Sequence, residues 1–427
     1  RVAVCEQVED PKTAKGIVKR AVVETVTPGA AFSDDLLDGG RNTFLGAIHH
    51  RGDLCGIAVA DLSTGEFRTI CVPARDAAAT MARLGPREVL VSPADRAAMG
   101  AAQGLDVLVT ERQAWEFDVA TATRELTELF GVRTLEGLGF APDDDVMVGA
   151  AGALVRYLRE LQPAGISHLA HPAIERPGGV MPIDDMTRRN LELVESMRGE
   201  ASGDGTLLSV LDRTHTPMGA RLLRSRLLAP LSERGAIEER LSAVAALVAN
   251  PTALAAIREA VQGVRDVERL AAKTAAGRAN PRELRALGDS LGRLPAVATA
   301  FGRVAVAGEL ATVTNAWDAA DDVRSSIMRV LVERPPVMLG DGETIASGVS
   351  AALDELRVIA TGGKDAIAGL QQAERERTGI SSLKVGHNRV FGYFIEVTNA
   401  NAHLVPGDYQ RRQTLTGAER YVTPALK

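Results

Sequence analysis

Residues 374–398, ERERTGISSLKVGHNRVFGYFIEVT, change their periodicity halfway. Up to Glu374, the residues Leu353, Leu356, Ala360, Ile367, Leu370 and Glu374 fall on a heptad seam, interrupted at Gly362-Gly363, and predict a long helix with one apolar stripe. Beyond Gly379 the pattern becomes strand-like, over 383–385, 390–397 and, further on, 420–423. A long helix leading into a small β-rich tip describes an arm, and a single apolar seam on that helix calls for a partner helix.

Outward from this arm the texture changes twice. Residues 183–350 carry helical periodicity, at 186–195, 207–211, 218–228, 237–248 and 253–261, with breakers at Gly203-Asp204-Gly205, Thr216-Pro217 and Asn250-Pro251. Asp184 and Thr216 are placed to cap helices. No repeat of solenoid length recurs. Residues 42–165 read as an α/β domain: strands at 43–49, 54–60 and 66–72 follow one another closely, then strands at 88–91 and 106–109 alternate with helices at 94–103, 121–130 and 148–161. Residues 1–29 hold two strands, 2–5 and 18–26, around a short helix at 11–16, too little to bury a core alone; 30–41 and 166–182 read as linkers. The chain starts without methionine and ends on Leu426-Lys427 with no stop signal, so it reads as a fragment.

Composition narrows the classes. At 45% hydrophobic and 24% charged residues, disorder is not the default, and aromatics of only 4% favour packed helices over an all-β core. A net charge of −6 gives no global pull on nucleic acid, so a nucleic-acid role needs a local basic surface. No apolar run is long enough to span a membrane, and residues 1–10 lack the core of a signal peptide. Cys5, Cys55 and Cys71 are too far apart for a metal knuckle and odd in number; they read as small core residues of a reducing compartment.

Catalytic motifs are sparse. No GxxxxGK[ST] phosphate loop, GxSxG elbow or HExxH helix occurs, and Gly340-Asp341-Gly342-Glu343 is a turn. The histidines are scattered, and strand alternation should send His49 and His50 to opposite faces. Asp61, in GIAVADLSTGEF (56–67), ends a strand as a metal-binding carboxylate does in ribonuclease-H-like nucleases, with Glu66 and Asp143-Asp144-Asp145 as further carboxylates. The favoured reading is plainer: Asp61 caps the turn through Ser63-Thr64. The best binding signal lies in the tip. From Ser381 on, Lys384, Arg389, Arg411, Arg412, Arg420 and Lys427 face only Glu396, Asp408 and Glu419, with Asn388, Gln413 and Thr414 as neutral donors. Such a mixture suits phosphate and sugar contacts. Tyr393 and Phe394 could stack on bases, although alternation makes at least one of them core.

Those residues also carry a family resemblance. With YQRRQTLTGAERYVTPALK (409–427), residues 374–398 resemble the clamp of bacterial MutS mismatch-repair proteins. MPIDDMTRRNLELVES (181–196) and TLLSVLDRTHTPMGARLLRSRLLAPL (206–231) resemble the start of that family's lever domain. RVAVCEQVEDPKTAKGIVKRAVVETVTPG (1–29) resembles the end of its N-terminal mismatch-binding domain, and VRDVERL (264–270) and ANPRELRAL (279–287) follow in the family's order.

The resemblance implies a multidomain α+β chain. Its parts are the end of a mismatch-binding domain (1–29), a linker (30–41), a ribonuclease-H-like α/β connector without nuclease activity (42–165), a linker (166–182), an all-α lever (183–350), and a helical arm with a β-rich clamp tip, incomplete here (351–427). It implies a bacterial cytoplasmic, nucleoid-associated homodimer that encircles duplex DNA and recruits a MutL-type factor. By the same likeness, Lys384, Asn388, Arg389, Arg411, Arg412 and Gln413 contact the DNA backbone. The family's Phe-x-Glu wedge falls upstream of residue 1 and its Walker motifs downstream of Lys427. Mismatch recognition, ATP, Mg²⁺ and ATP-dependent signalling then belong to the full-length protein, and this chain holds no catalytic, cofactor or metal site. Two other readings stay open: a metal-dependent nuclease using Asp61, and a scaffold that docks a protein partner.

Overall fold

The computed structural model describes all residues except 11–13, 15, 33, 99–106, 198–204, 305–306, 389–391 and 424–427, and except the side chains of 34, 97, 98, 361 and 363–366. The chain divides into two compact units, Arg1–Thr344 and Ile345–Lys427.

In the first unit, β1 (Val2–Gln7) and β2 (Arg20–Val26) form an antiparallel hairpin. A six-stranded sheet follows, built from β3 (Leu45–Arg51), β4 (Leu54–Asp61), β5 (Glu66–Pro73), β6 (Glu88–Val91), β7 (Leu108–Glu111) and β8 (Ala173–Glu175), in the order β7-β6-β3-β4-β5-β8. The close turns at Gly52 and Gly65, both at positive φ, fold β3, β4 and β5 into an antiparallel meander; β6, β7 and β8 join in parallel after helical crossovers. Residues of β4 are buried almost throughout because both faces of the sheet are covered. The helix Asp145–Leu161 covers one face, and Ile48, Ile57, Ile70 and Val89 pack with Met81 of the helix Ala77–Leu84 on the other. Gly56 makes the first of these contacts: a Cβ there would lie 2.0 Å from the Val146 carbonyl oxygen, so a side chain would push the helix off the sheet. Cys55 is fully buried and its thiol is pushed up to about 12 by burial, whereas Cys5 is exposed and Cys71 half-buried, so only one of the three cysteines is the core residue expected of them all.

The helical part carries the two caps expected of it and one, at Asn280, that was not expected. Asp184 and Thr216 accept the N–H groups of Thr187 and Gly219, and Asn280 closes a capping box with Glu283 in front of Pro281. The helix expected at 186–195 is instead Asp185–Asn190, because Glu192 takes a positive φ and its carbonyl, with that of Leu193, is claimed by the N–H groups of Leu207 and Leu208, each at 2.9 Å. Among the described residues no single helix is long and apolar enough to cross a membrane; Arg234–Val248 and Pro251–Val261 pass that test only as a pair bent by 98°.

Among its described residues the second unit holds one long helix, one sheet and a short 3-10 helix at Asn399–Leu404. The helix Ala351–Thr378 runs for 28 residues, about 42 Å. It is unbroken at Gly362-Gly363, where the seam was expected to be interrupted: each glycine weakens the helix by roughly 1 kcal/mol yet keeps its N–H for the ladder. Leu356, Val358 and Ile359 are exposed along it, while Leu353 and Leu370 are half-buried. Gly379, left-handed at φ 69°, ends the helix and turns the chain into the sheet.

Candidate nucleic-acid interface

Four antiparallel strands, β9 (Lys384–Asn388), β10 (Gly392–Thr398), β11 (Gln410–Thr414) and β12 (Ala418–Val422), make this sheet in the order β11-β12-β10-β9. Ile395, Val397 and Tyr421 point to one side and pack with Ile380, Leu383 and Tyr409. The helix end is sewn to this core. The Val385 N–H donates to Gln371 Oε1 at 2.9 Å, Arg375 Nε donates to the Leu383 carbonyl at 2.8 Å, and the Tyr409 hydroxyl donates to the buried Glu374 at 2.8 Å. Burial and that bond to Glu374 push the Tyr409 hydroxyl well above the usual tyrosine range. Arg377 completes the knot by pairing with Glu374 at 2.9 Å and Asp408 at 3.1 Å.

The other side of the sheet carries a polar row set by register. Lys384 stands opposite Glu396, Glu396 opposite Arg420, and Arg420 opposite Gln413. Arg420 is fully engaged there: it donates to Glu396 at 2.8 Å and to Gln413 Oε1 at 3.0 Å, and its guanidinium lies 4.3 Å from the centre of the Phe394 ring. Phe394 is consequently buried, over Gly386, where a Cβ would come within 2.7 Å of the ring. Tyr393 remains exposed beside His387, the rings 4.9 Å apart.

The six residues expected to contact DNA therefore have different surroundings. Lys384, Asn388 and Gln413 share the polar side by strand alternation, Asn388 half-buried at the end of β9. Arg411 registers with Tyr421, on the core side, and pairs with Glu419 at 3.1 Å while its side chain stays 61% exposed. Between Arg411 and Gln413 the register slips, so Arg412 is the extra residue of a β-bulge, exposed and opposite no residue of β12. Arg389 lies outside the described residues, as does Lys427. Among the described residues neither Lys384 nor Arg412 has an ion-pair partner. Glu374, Arg377 and Arg420 set this arrangement without having been singled out as its organisers: strand register reveals Arg420, and the tertiary bonds to Tyr409 and Asp408 reveal Glu374 and Arg377.

The rival site is closed by its own hydrogen bonds. Asp61 is fully buried, and its carboxylate accepts from the Ser63 N–H (2.9 Å) and hydroxyl (2.7 Å), the Thr43 N–H (3.0 Å) and Asn42 Nδ2 (3.1 Å). That is the turn cap read from Ser63-Thr64. Asn42 also holds Glu66, Asp144 pairs with Arg176, and Asp145 pairs with Arg51. No group of three or more His, Cys, Asp or Glu side chains among the described residues is placed to hold a metal ion. His49 and His50 leave β3 on opposite faces, His49 stacked on Phe117, yet both Nδ1 atoms reach the Asp95 carboxylate, at 3.4 and 3.3 Å. The reason is that β6 pairs only with Leu45–Ile48, leaving the edge of β3 free for Asp95, which also takes the His50 N–H at 3.0 Å.

Family models of MutS domain I, MutS domain II and MutS domain III match residues 1–35, 43–172 and 186–412. The chain belongs to the MutS family. Among its MutS relatives, the DNA mismatch repair protein MutS of Solibacter usitatus (strain Ellin6076) is 42% identical over 433 residues, covering 100% of this chain and 50% of its own length. The DNA mismatch repair protein MutS of Symbiobacterium thermophilum is 44% identical over 434 residues, covering 100% and 49%. That of Methanococcoides burtonii is 40% identical over 438 residues, again covering 100% and 49%. The chain thus spans about half the length of the MutS relatives it matches. The matched domain III takes in the helical segment, the long helix and the sheet up to Arg412, so the polar tip belongs to a MutS part and is not an appended module.

Proposed function

We propose that this MutS-family chain serves DNA mismatch repair by gripping the backbone of duplex DNA through the sheet of its second unit, without reading sequence. The observation that carries the reading is the contrast among the tip's cations. Arg377 and Arg420 are tied to carboxylates and build the tip; Lys384 and Arg412 stand exposed with no ion-pair partner among the described residues. A cation without an internal carboxylate is available to displace counterions from phosphates. The contacts are Lys384, Asn388, Arg389, Arg411, Arg412 and Gln413, with Arg411 shared between Glu419 and the DNA.

The six-stranded sheet, with its antiparallel meander flanked by parallel strands, supports a ribonuclease-H-like connector, and the saturated Asp61 supports one without nuclease activity. In this proposal mispair recognition, ATP with Mg²⁺, pairing with a second copy and recruitment of a MutL-type factor are properties of the whole protein. Fluorescence anisotropy on matched and singly mispaired duplexes tests the grip. Replacing Arg411 and Arg412 by alanine should weaken binding equally on both duplexes and flatten the slope of log affinity against log salt by about 1 for each phosphate no longer neutralised. An unchanged isotherm would remove both arginines from the interface.

A further inference from the structure

A second positive site lies in the first unit, away from the residues assigned to DNA. A cavity of about 330 Å³ opens between the α/β sheet and the helical segment, a volume in the range of small-ligand pockets. Phe44, Met81, Leu84 and Val107 give it an apolar wall. Its polar lining is one-sided: eight arginines against a single carboxylate, Glu195, among the described residues.

Five of those arginines are anchored from outside. Arg68 pairs with Glu66, Arg83 with Glu175 at 2.5 Å, Arg188 and Arg189 with Asp185, and Arg221 with Asp266 and Glu268. Three are not: among the described residues no carboxylate comes within ion-pair distance of Arg41, Arg87 or Arg224. Arg224, half-buried, is the telling one. Burial, and then the positive charge of Arg41, push its guanidinium down to about 10 against the opposing pull of Glu195 and Asp38, so it stays charged at neutral pH but at a cost. A half-buried guanidinium facing like charges across a cavity is relieved when an anion enters, and two or more arginines converging on one space match the oxygens of a phosphate.

We propose that this cavity is a binding site for a small phosphate-bearing anion of the diphosphate class, held by Arg224 and Arg41 with Arg87 at the rim. The pairings on Arg188 and Arg221 hold the wall in place, so the site is preformed and needs no closure. The anion bridges the sheet and the helical segment and stiffens the first unit.

Isothermal titration calorimetry and thermal melting of the 427-residue chain with inorganic pyrophosphate, against sulfate at equal ionic strength, test the site. The expected result is one saturable pyrophosphate site and a raised melting temperature, with a smaller response to sulfate. Arg224→Gln should weaken pyrophosphate binding roughly tenfold, the loss of a charged hydrogen bond, without lowering the melting temperature of the free protein. Should that variant fail to fold, Arg87→Gln, at an exposed position, should still weaken binding. An ADP arm identifies the bearer: tighter binding than pyrophosphate assigns the apolar wall to a nucleoside, and equal binding assigns the site to the diphosphate alone. Equal responses to sulfate and pyrophosphate, binding unchanged in the folded variants, or a polyglutamate peptide that outcompetes pyrophosphate would each overturn the proposal.

Discussion

Arg221 and Arg412 carry the same guanidinium in opposite circumstances. Arg221, its side chain 4% exposed, reaches Asp266 at 2.6 and 2.8 Å, Glu268 at 2.6 Å and the Gly39 carbonyl at 3.0 Å. Arg412 sits exposed on a β-bulge with no ion-pair partner among the described residues. The first has spent both terminal nitrogens on the protein and fixes one helix start against another; the second keeps its donors for something else. The difference separates arginines that hold the fold from those that can bind, a distinction charge counting cannot make.

The contrast is most vulnerable at its buried end. Removing one partner of a buried pair leaves the other's charge uncompensated, so Arg221→Ala should lower unfolding stability by about 3 kcal/mol. A urea-denaturation midpoint that hardly moves would show that Arg221 is no more structural than Arg412. Asp95 offers a pH version of the same test. Its burial alone would raise its carboxyl, but hydrogen bonds from His49, His50 and Ser92 outweigh burial and hold it well below the usual carboxylate range. A carboxyl depressed in the folded state contributes stability that is complete above the unfolded value of about 4 and is lost as pH falls toward the folded one. The stability gap between the native protein and Asp95→Asn should therefore close as the medium is acidified below that value. A gap that stays open or widens below about pH 4 would mean Asp95 is not the acceptor the structure shows.

These networks also mark what the sequence could and could not disclose. Glu88–Val91 and Leu207–Leu211 form where hydrophobic pattern placed them, and the caps at Asp184 and Thr216 bond as their residue types require. Local chemistry decides such features. The strand Gln410–Thr414 has no apolar alternation to announce it, since it lies at the sheet edge with its side chains largely exposed. Its bulge, which separates Arg411 from Arg412, depends on pairing with β12 rather than on either residue. The same holds for the helix that stops at Asn190 and for the histidine pair on Asp95: partners distant in sequence decide both. For the tip, the sequence located the cations but not which of them had already found carboxylates.

Arg411 lies between the two extremes, and its test is the most delicate. Glu419 accepts from both the Tyr421 hydroxyl and Arg411; these bonds hold its carboxyl below the ordinary range, and burial with the Glu419 bond pushes the Tyr421 hydroxyl up to about 12. Glu419 thus competes with phosphate for Arg411. In Glu419→Gln the amide oxygen can still accept from Tyr421, so the tip keeps its packing, but Arg411 loses its counter-charge. Binding to matched duplex should tighten modestly, and the salt slope should steepen by about 1 if Arg411 turns wholly to phosphate. The melting temperature should stay where it was. If affinity falls instead, Glu419 positions Arg411 for the backbone rather than withholding it, and Arg411 belongs with Arg221 among the residues that build.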